Sequence, residues 1–232
     1  MKYNTILFDA DGTLLDFHRC EREAVAEAFA SMGIEANREM LDEYSIINDS
    51  LWKMLERGEI EKDRLVYHRF EIFYEKYGFD IDARLTANEY KRTLSKKAYL
   101  IDGADALCRS LYGKAKMYIV TNGIRSNQES RLKLCGLMKY FDGAFISDII
   151  GFEKPRVEFF DHVAAHVPDF DRSRTVIVGD SLSSDIQGGI SYGIDTCWYN
   201  PHGKCAPDTF TGRITYTVKD FNEMYIALTK GE

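Results

Sequence analysis

Five short apolar runs, separated by longer mixed segments, dominate the hydrophobic pattern of this chain. They are rich in β-branched and aromatic residues and too short for helices, so we predict buried strands at residues 3–8, 116–121, 143–148, 175–180 and 195–200. Helical periodicity lies between the later runs, as in residues 126–141, whose expected apolar side consists of Leu132, Leu134, Leu137 and Met138. The alternation of strand and helix predicts a parallel sheet with helices on both faces.

The segment from Phe17 to about residue 95 has a different pattern. It contains many helix formers and aromatic residues and no clear β-branched run, so we predict an all-helical insertion after the first strand. The predicted fold is therefore α/β, with a Rossmann-like three-layer core of residues 1–16 and 97–232 and a helical domain of residues 17–96. Aromatic residues at helical spacing more often form a core than a binding surface, and we expect the same here.

Composition and charge exclude several function classes. The 232 residues are 45% hydrophobic and 29% charged, which is typical of a globular protein. A formal net charge of -7 argues against binding to nucleic acid polymers or anionic membranes, because either partner requires a basic face. The five scattered cysteines form no C-x-x-C pair, and no apolar stretch is long enough to span a bilayer. We expect a cytoplasmic monomer or homodimer without a disulfide framework.

Polar signatures follow four of the predicted strands. They are Asp9-Ala10-Asp11-Gly12-Thr13, Thr121-Asn122-Gly123, Lys154, and Gly179-Asp180-Ser181 with Asp185. The carboxyl ends of parallel strands line one crevice, so these side chains should converge. Carboxylates packed this closely repel each other unless a hard cation lies among them, and their oxygen atoms suit Mg²⁺. Lys154 and the Thr121 hydroxyl would then hold the oxygens of a phosphate group.

In this order, DADGT, TNG, the lysine before Pro155 and GDSLSSD resemble the four motifs of the haloacid dehalogenase-like (HAD) phosphohydrolases. The resemblance implies phosphate ester hydrolysis in which Asp9 is the nucleophile and forms an aspartyl-phosphate. It also implies that Asp11 protonates the leaving oxygen and then activates water. True dehalogenases lack this second aspartate, since a halide needs no proton to leave, so its presence favours a phosphatase.

The same resemblance implies the binding residues. Thr121 and Lys154 would bind the phosphoryl group, and Asn122 would also bind the substrate. The Asp9 carboxylate, the Asp11 carbonyl and Asp180 would hold Mg²⁺, with Asp185 orienting either a metal-bound water or the lysine.

More of the chain resembles one branch of this family, the bacterial cytosolic 5'-nucleotidases that act on pyrimidine nucleotides. The similarity lies in NDSLW at residues 48–52, HRFE at residues 68–71, and the stretches 171–180 and 184–203. It implies a nucleoside 5'-monophosphate as the small-molecule substrate. It also implies that the helical insertion is a C1-type cap, a lid that excludes water. Trp52 is our candidate for contact with the base.

Two alternatives stay open at this stage. A phosphatase or phosphomutase for sugar phosphates or phosphoglycolate would share every core motif and differ only in the cap. A phosphate-binding regulatory module would keep the fold without turnover. Such a module has no need of Asp9 and Asp11 together, which favours an enzyme.

Overall fold

The computed structural model describes residues 1–230 and contains two compact units. One consists of residues 1–16 together with the chain from residue 100 onward, and the other of residues 17–99. The sequence pattern places the second boundary at residue 97, three residues earlier. The assignment of these units as catalytic core and cap stays a prediction.

The first unit is built on a parallel sheet. Its strands are β1 (Thr5–Phe8), β2 (Lys116–Thr121), β3 (Gly143–Ile146), β4 (Thr175–Gly179), β5 (Asp195–Tyr199) and β6 (Tyr216–Val218). Their order across the sheet is β3-β2-β1-β4-β5-β6, and every neighbouring pair is parallel. Five strands were predicted, and their centres agree with the structure. The edge strand β6 was missed because three residues are too few to show an alternating pattern.

The second unit is all-helical, and the first unit has its own helices on the faces of its sheet. Those of the second unit are α1 (Phe17–Ser31), α2 (Arg38–Glu56), α3 (Lys62–Tyr77) and α4 (Ala83–Leu94). Those of the first are α5 (Ala104–Leu111), α6 (Arg125–Cys135), α7 (Ser147–Ile150), α8 (Val157–His166), α9 (Gln187–Tyr192) and α10 (Phe221–Lys230). Within the described residues, none of these helices combines the length and the apolar character needed to cross a bilayer.

The sheet has a hydrophobic core on each face, because successive strand residues point to opposite sides. Phe8 of β1 belongs to a buried cluster with Leu107 of α5 and Leu228 of α10. Its neighbour Leu7 belongs to a different buried cluster, which includes Phe159 of α8. The three-layer Rossmann-like core predicted from the sequence is confirmed.

The helix predicted across residues 126–141 differs from the structure. It ends at Cys135, where Gly136 has a φ of 71°, the left-handed conformation that commonly terminates helices. Leu134, predicted on the buried side with Leu132, is 58% exposed. Residues two positions apart do not share a helix face, so the expectation for Leu134 was wrong.

The helical unit has its own aromatic core. The ring of Phe29 stacks on Phe73 with centroids 4.5 Å apart, and its edge contacts with Tyr44 and Phe70 have centroid distances of 5.9 and 6.1 Å. All four side chains are fully buried. The aromatic residues of the insertion therefore form a core, as predicted.

Candidate active site

Strand register brings three of the predicted signatures together. Phe8, the last residue of β1, lies between Ile119 of β2 and Val178 of β4. Asp9 follows Phe8 directly. Thr121 comes two residues after the β2 partner of Phe8, and Asp180 comes two residues after its β4 partner. The three signatures therefore meet at the carboxyl edge of the sheet, where α/β proteins bind their ligands.

Lys154 lies between two carboxylates of this edge. Its Nζ atom donates to Asp9 Oδ1 at 2.7 Å, to Asp185 Oδ1 at 2.6 Å and to the carbonyl of Val120 at 2.8 Å, and the residue is only 1% exposed. Burial alone would lower the pKa of Lys154, but the carboxylates of Asp185 and Asp9 raise it above its usual value. The lysine is therefore held as a cation.

One cation does not balance the carboxylates around it. Oxygen atoms of Asp9, Asp180 and Asp185 lie within 4.8 Å of one another. Burial raises the pKa of Asp9 well above its usual value, the charges of Asp185 and Asp180 add to this effect, and Lys154 opposes it. Asp180 is exposed, yet the protein around its carboxyl group removes hydration. Together with Asp185, this raises its pKa to about 7.

The donor set fits a hard divalent cation. It offers closely spaced carboxylate oxygens, the ligands that Mg²⁺ prefers in proteins. Gly12 shapes the same site. Its φ is 82°, and a Cβ atom built on it would lie 2.6 Å from Asp180 Oδ2. Only glycine allows the backbone of the first signature to adopt this conformation so close to that carboxylate.

The hydroxyl group of Thr121 is set to donate a hydrogen bond. Its oxygen accepts from the backbone N–H of Gly123 at 3.1 Å and from Gln128 Nε2 at 2.9 Å. A hydroxyl oxygen has two acceptor lone pairs and one proton. With both lone pairs engaged, the hydroxyl group is left with its proton to donate.

The side chain of Asn122 binds the backbone of Lys154, a contact that the sequence did not reveal. Its Nδ2 atom donates to the carbonyl of Lys154 at 2.8 Å, and its Oδ1 accepts from the Lys154 N–H at 2.9 Å. The side-chain amide thus holds the backbone that carries the lysine. Direct contact between Asn122 and substrate stays a prediction.

Asp185 also lies where the sequence predicts, beside the lysine. Its Oδ2 accepts from the N–H of Ser181 at 3.2 Å, while its Oδ1 is engaged by Lys154. With both oxygens used by the protein, Asp185 is placed to orient Lys154.

Two residues of α6 were missed as part of this site. Arg131 Nη1 donates to Asp11 Oδ1, and Gln128 Nε2 donates to Asp11 Oδ2, both at 2.6 Å. The leucines of this helix predicted its buried side, whereas its polar side gave no prediction for the site. The available signal was the spacing of three between Gln128 and Arg131, in the helix that follows the TNG signature.

Trp52, the candidate for base contact, lies on α2 and packs, half-buried, against the core of the helical unit. The two stretches of this unit that resemble the nucleotidases also meet. Asn48 accepts from Arg69 Nη1 at 2.8 Å and donates to Glu21 Oε1 at 2.6 Å. These polar residues are buried inside the helical unit.

Comparison with known proteins agrees with these motifs. A family model described as haloacid dehalogenase-like hydrolase matches residues 3–193. The chain belongs to this hydrolase family. The HAD resemblance inferred from the four signatures is therefore confirmed.

Three relatives are similar to this HAD hydrolase over almost its whole length. The HAD-hydrolase YfnB of Bacillus subtilis is 38% identical, covering 97% of this chain and 94% of YfnB. The pyrimidine 5'-nucleotidase PynA of Streptococcus pneumoniae is 35% identical, covering 99% and 97% of the two chains. The pyrimidine 5'-nucleotidase YjjG of Escherichia coli is 32% identical, covering 99% and 100%. The resemblance to the nucleotidase branch is thus also confirmed.

The same fold is present in a solved relative. A crystal structure of YfnB bound to magnesium matches this HAD hydrolase with a TM-score of 0.93, covering 99% of this chain and 100% of that one. The similarity includes the helical insertion as well as the sheet.

Proposed function

We propose that this HAD hydrolase is a Mg²⁺-dependent phosphomonoesterase that acts on nucleoside 5'-monophosphates through an aspartyl-phosphate on Asp9. The observation that carries the proposal is the different surroundings of two aspartates in one loop. Asp9 contacts Lys154 and lies in the acidic cluster, whereas Asp11 is held by an arginine and a glutamine of α6. In this proposal Asp9, beside Lys154, attacks the phosphorus, and Asp11 of the same loop transfers the proton.

The reaction follows from these positions in two steps. An oxygen of Asp9 attacks the phosphorus atom, the bond between phosphorus and the ester oxygen breaks, and Asp11 gives its proton to that oxygen. Asp11 then takes a proton from a water molecule, which attacks the phosphorus and breaks its bond to Asp9. Inorganic phosphate and the free nucleophile result. Thr121 donates to a phosphoryl oxygen throughout. Lys154, whose three protons are engaged by Asp9, Asp185 and Val120, stabilises the phosphoryl group through its positive charge.

The carboxylates of Asp9 and Asp180 and the carbonyl of Asp11 would hold the metal. Mg²⁺, when bound, would neutralise charge on the phosphoryl oxygens and on the nucleophile. Asp185 would orient Lys154, with which it forms an ion pair of 2.6 Å. The magnesium-bound structure of YfnB supports this choice of metal.

The substrate class rests on the relatives. PynA and YjjG are named pyrimidine 5'-nucleotidases, and their similarity extends over the helical insertion. We therefore place pyrimidine nucleoside 5'-monophosphates first among the substrates. The helical unit acts as the substrate-selecting cap in this proposal, and Trp52 is its candidate contact with the base.

Phosphate release from a panel of esters tests the proposal. The panel contains pyrimidine and purine nucleoside 5'-monophosphates, sugar phosphates and phosphoglycolate, each with Mg²⁺ and with a chelator. We expect pyrimidine monophosphates to react fastest, and both the chelator and Asp9→Asn to abolish release. The exposed Asp161 on α8 provides a matched control, since Asp161→Asn should leave the rates unchanged.

The possible outcomes separate the alternatives. If a sugar phosphate or phosphoglycolate reacts fastest, the nucleotide assignment is wrong and the chemistry stands. If no ester is hydrolysed while inorganic phosphate still binds, the chain is a phosphate-binding module.

A further inference from the structure

The carboxylate of Asp11 is held at two points from one helix. Each of its oxygens has its own donor at 2.6 Å, Arg131 Nη1 for Oδ1 and Gln128 Nε2 for Oδ2. These two donors are three residues apart and share a face of α6. Two short hydrogen bonds to different oxygens fix the direction and the plane of the carboxylate, whereas a single bond would leave it free to rotate.

Arg131 carries a positive charge in the interior of the protein, where loss of hydration makes a charge unfavourable. The residue is 1% exposed, and its guanidinium must be compensated by hydrogen bonds and charge inside the protein. The side chain of its partner Asp11 is 23% exposed. The arginine therefore holds, from the buried side, a carboxylate whose other side is open to a ligand.

The backbone leaves room for Gln128. A Cβ atom built on Gly123 would lie 2.1 Å from Gln128 Nε2 and 2.7 Å from its Cδ, because the glutamine side chain crosses directly over this glycine. Atoms do not approach this closely, so any side chain at position 123 would displace the Gln128 amide. The glycine of the TNG signature thus provides the space that the Gln128 amide occupies.

The Gln128 amide also contacts a second residue of the site. Its Nε2 atom donates to Thr121 Oγ1 at 2.9 Å as well as to Asp11 Oδ2. One amide group therefore connects the proton-transferring carboxylate with the hydroxyl that binds the phosphoryl group. The distance between the two reacting parts of the site is set through this side chain.

We propose that Gln128 and Arg131 are positioning residues that hold Asp11 in line with the leaving oxygen, with Gly123 providing the space for Gln128. The inference rests on the proposed function, since it assumes that Asp11 transfers the proton. Proton transfer by a well-placed group contributes about 10²- to 10⁴-fold to rate. Removal of one of the two hydrogen bonds to Asp11 should therefore lower kcat by about tenfold to a hundredfold.

The dependence on leaving group tests this role. A nucleoside leaves as an alcohol and needs a proton, whereas p-nitrophenolate is a stable anion and leaves without one. In Gln128→Met, Arg131→Met and Gly123→Ala, we expect kcat for a nucleoside monophosphate to fall with little change in KM. With p-nitrophenyl phosphate, the first turnover should stay fast and the later ones become slow, because activation of water also depends on Asp11. The variants should therefore show a burst of p-nitrophenol.

Two comparisons exclude a merely structural effect. Lys133→Met makes a similar exchange at an exposed position of the same helix and should behave as the wild type. Arg131→Lys keeps the charge and should recover part of the activity that Arg131→Met loses. Urea unfolding of every variant shows whether the fold is intact at the assay temperature.

The inference is overturned if the variants slow both substrates by the same factor without a burst, or if they change only KM. It is also overturned if they match the wild type while the wild type hydrolyses both esters, a result that leaves the proposed function standing. A wild-type protein that releases no phosphate from either ester would refute the proposed function itself, and this inference with it.

Discussion

Glu21 gives the helical unit a pH-dependent stability that can be worked out from its contacts. The residue is 1% exposed, and its carboxylate accepts from Ser45 Oγ at 2.8 Å and from Asn48 Nδ2 at 2.6 Å. Burial raises its pKa from the usual 4.5 to about 7, although these hydrogen bonds and the charge of Arg69 oppose the rise.

The sign follows from the direction of this shift. The folded protein binds the Glu21 proton more tightly than the unfolded chain, so the contribution to stability is complete below pH 4.5. It is lost as the pH rises from 4.5 to about 7 and stays constant above that. A pKa difference of one between the folded and unfolded states corresponds to about 1.36 kcal/mol, so the free energy of unfolding falls by about 3 kcal/mol.

Glu21→Gln should remove this dependence while keeping the contacts. The glutamine oxygen can accept from Asn48, and its amide can donate to the Ser45 hydroxyl. The assay is the free energy of unfolding in urea for both proteins between about pH 4 and about pH 8. We expect the wild type to lose about 3 kcal/mol relative to the variant across this interval.

A matched control separates burial from the loss of one charge. Glu75→Gln changes an exposed glutamate of α3 in the same way and should give a nearly constant difference from the wild type. A flat difference between the wild type and Glu21→Gln would refute the reasoning, because it would show that Glu21 titrates alike in the folded and unfolded states.

Three further predictions concern the core of each unit and the metal site. Lys154→Met should lower the free energy of unfolding by about 3–5 kcal/mol, because it leaves two buried carboxylates without their cation; an unchanged urea midpoint would contradict this. Mg²⁺ should raise the thermal midpoint of the wild type relative to chelator, and Asp180→Asn should remove that rise while stabilising the metal-free protein; a full Mg²⁺ response in the variant would exclude Asp180 as a ligand. Phe29→Ala should cost about 3–5 kcal/mol, since it empties the centre of the aromatic core; calorimetry would show a smaller loss if the core collapses into the space.

The strands and the signatures that follow them were readable from the sequence because both are local. A buried strand such as β2 is a continuous apolar run, and the polar residues that end it are adjacent in the chain. The convergence of Asp9, Thr121 and Asp180 then follows from parallel pairing, which needs no knowledge of side-chain contacts.

What the sequence did not reveal depends on contacts across the fold. The partners of Asp11 lie more than a hundred residues away on α6, where polar residues in a helix would ordinarily face solvent. The resemblance implied that Asn122 binds substrate, but not its hydrogen bond to a backbone 32 residues further along. The spacing of Gln128 and Arg131 places both on one helix face, but it does not reveal that Asp11 lies opposite that face.

The two hydrogen bonds between the Asn122 side chain and the Lys154 backbone have a consequence for how this protein can change. They fix the lysine to the end of β2 and not only to its own connection, residues 147–156. That connection can therefore alter in length or sequence ahead of residue 154 while the ammonium group keeps its place between Asp9 and Asp185. Substitutions in residues 147–153 should thus leave the position of the Lys154 ammonium group unchanged.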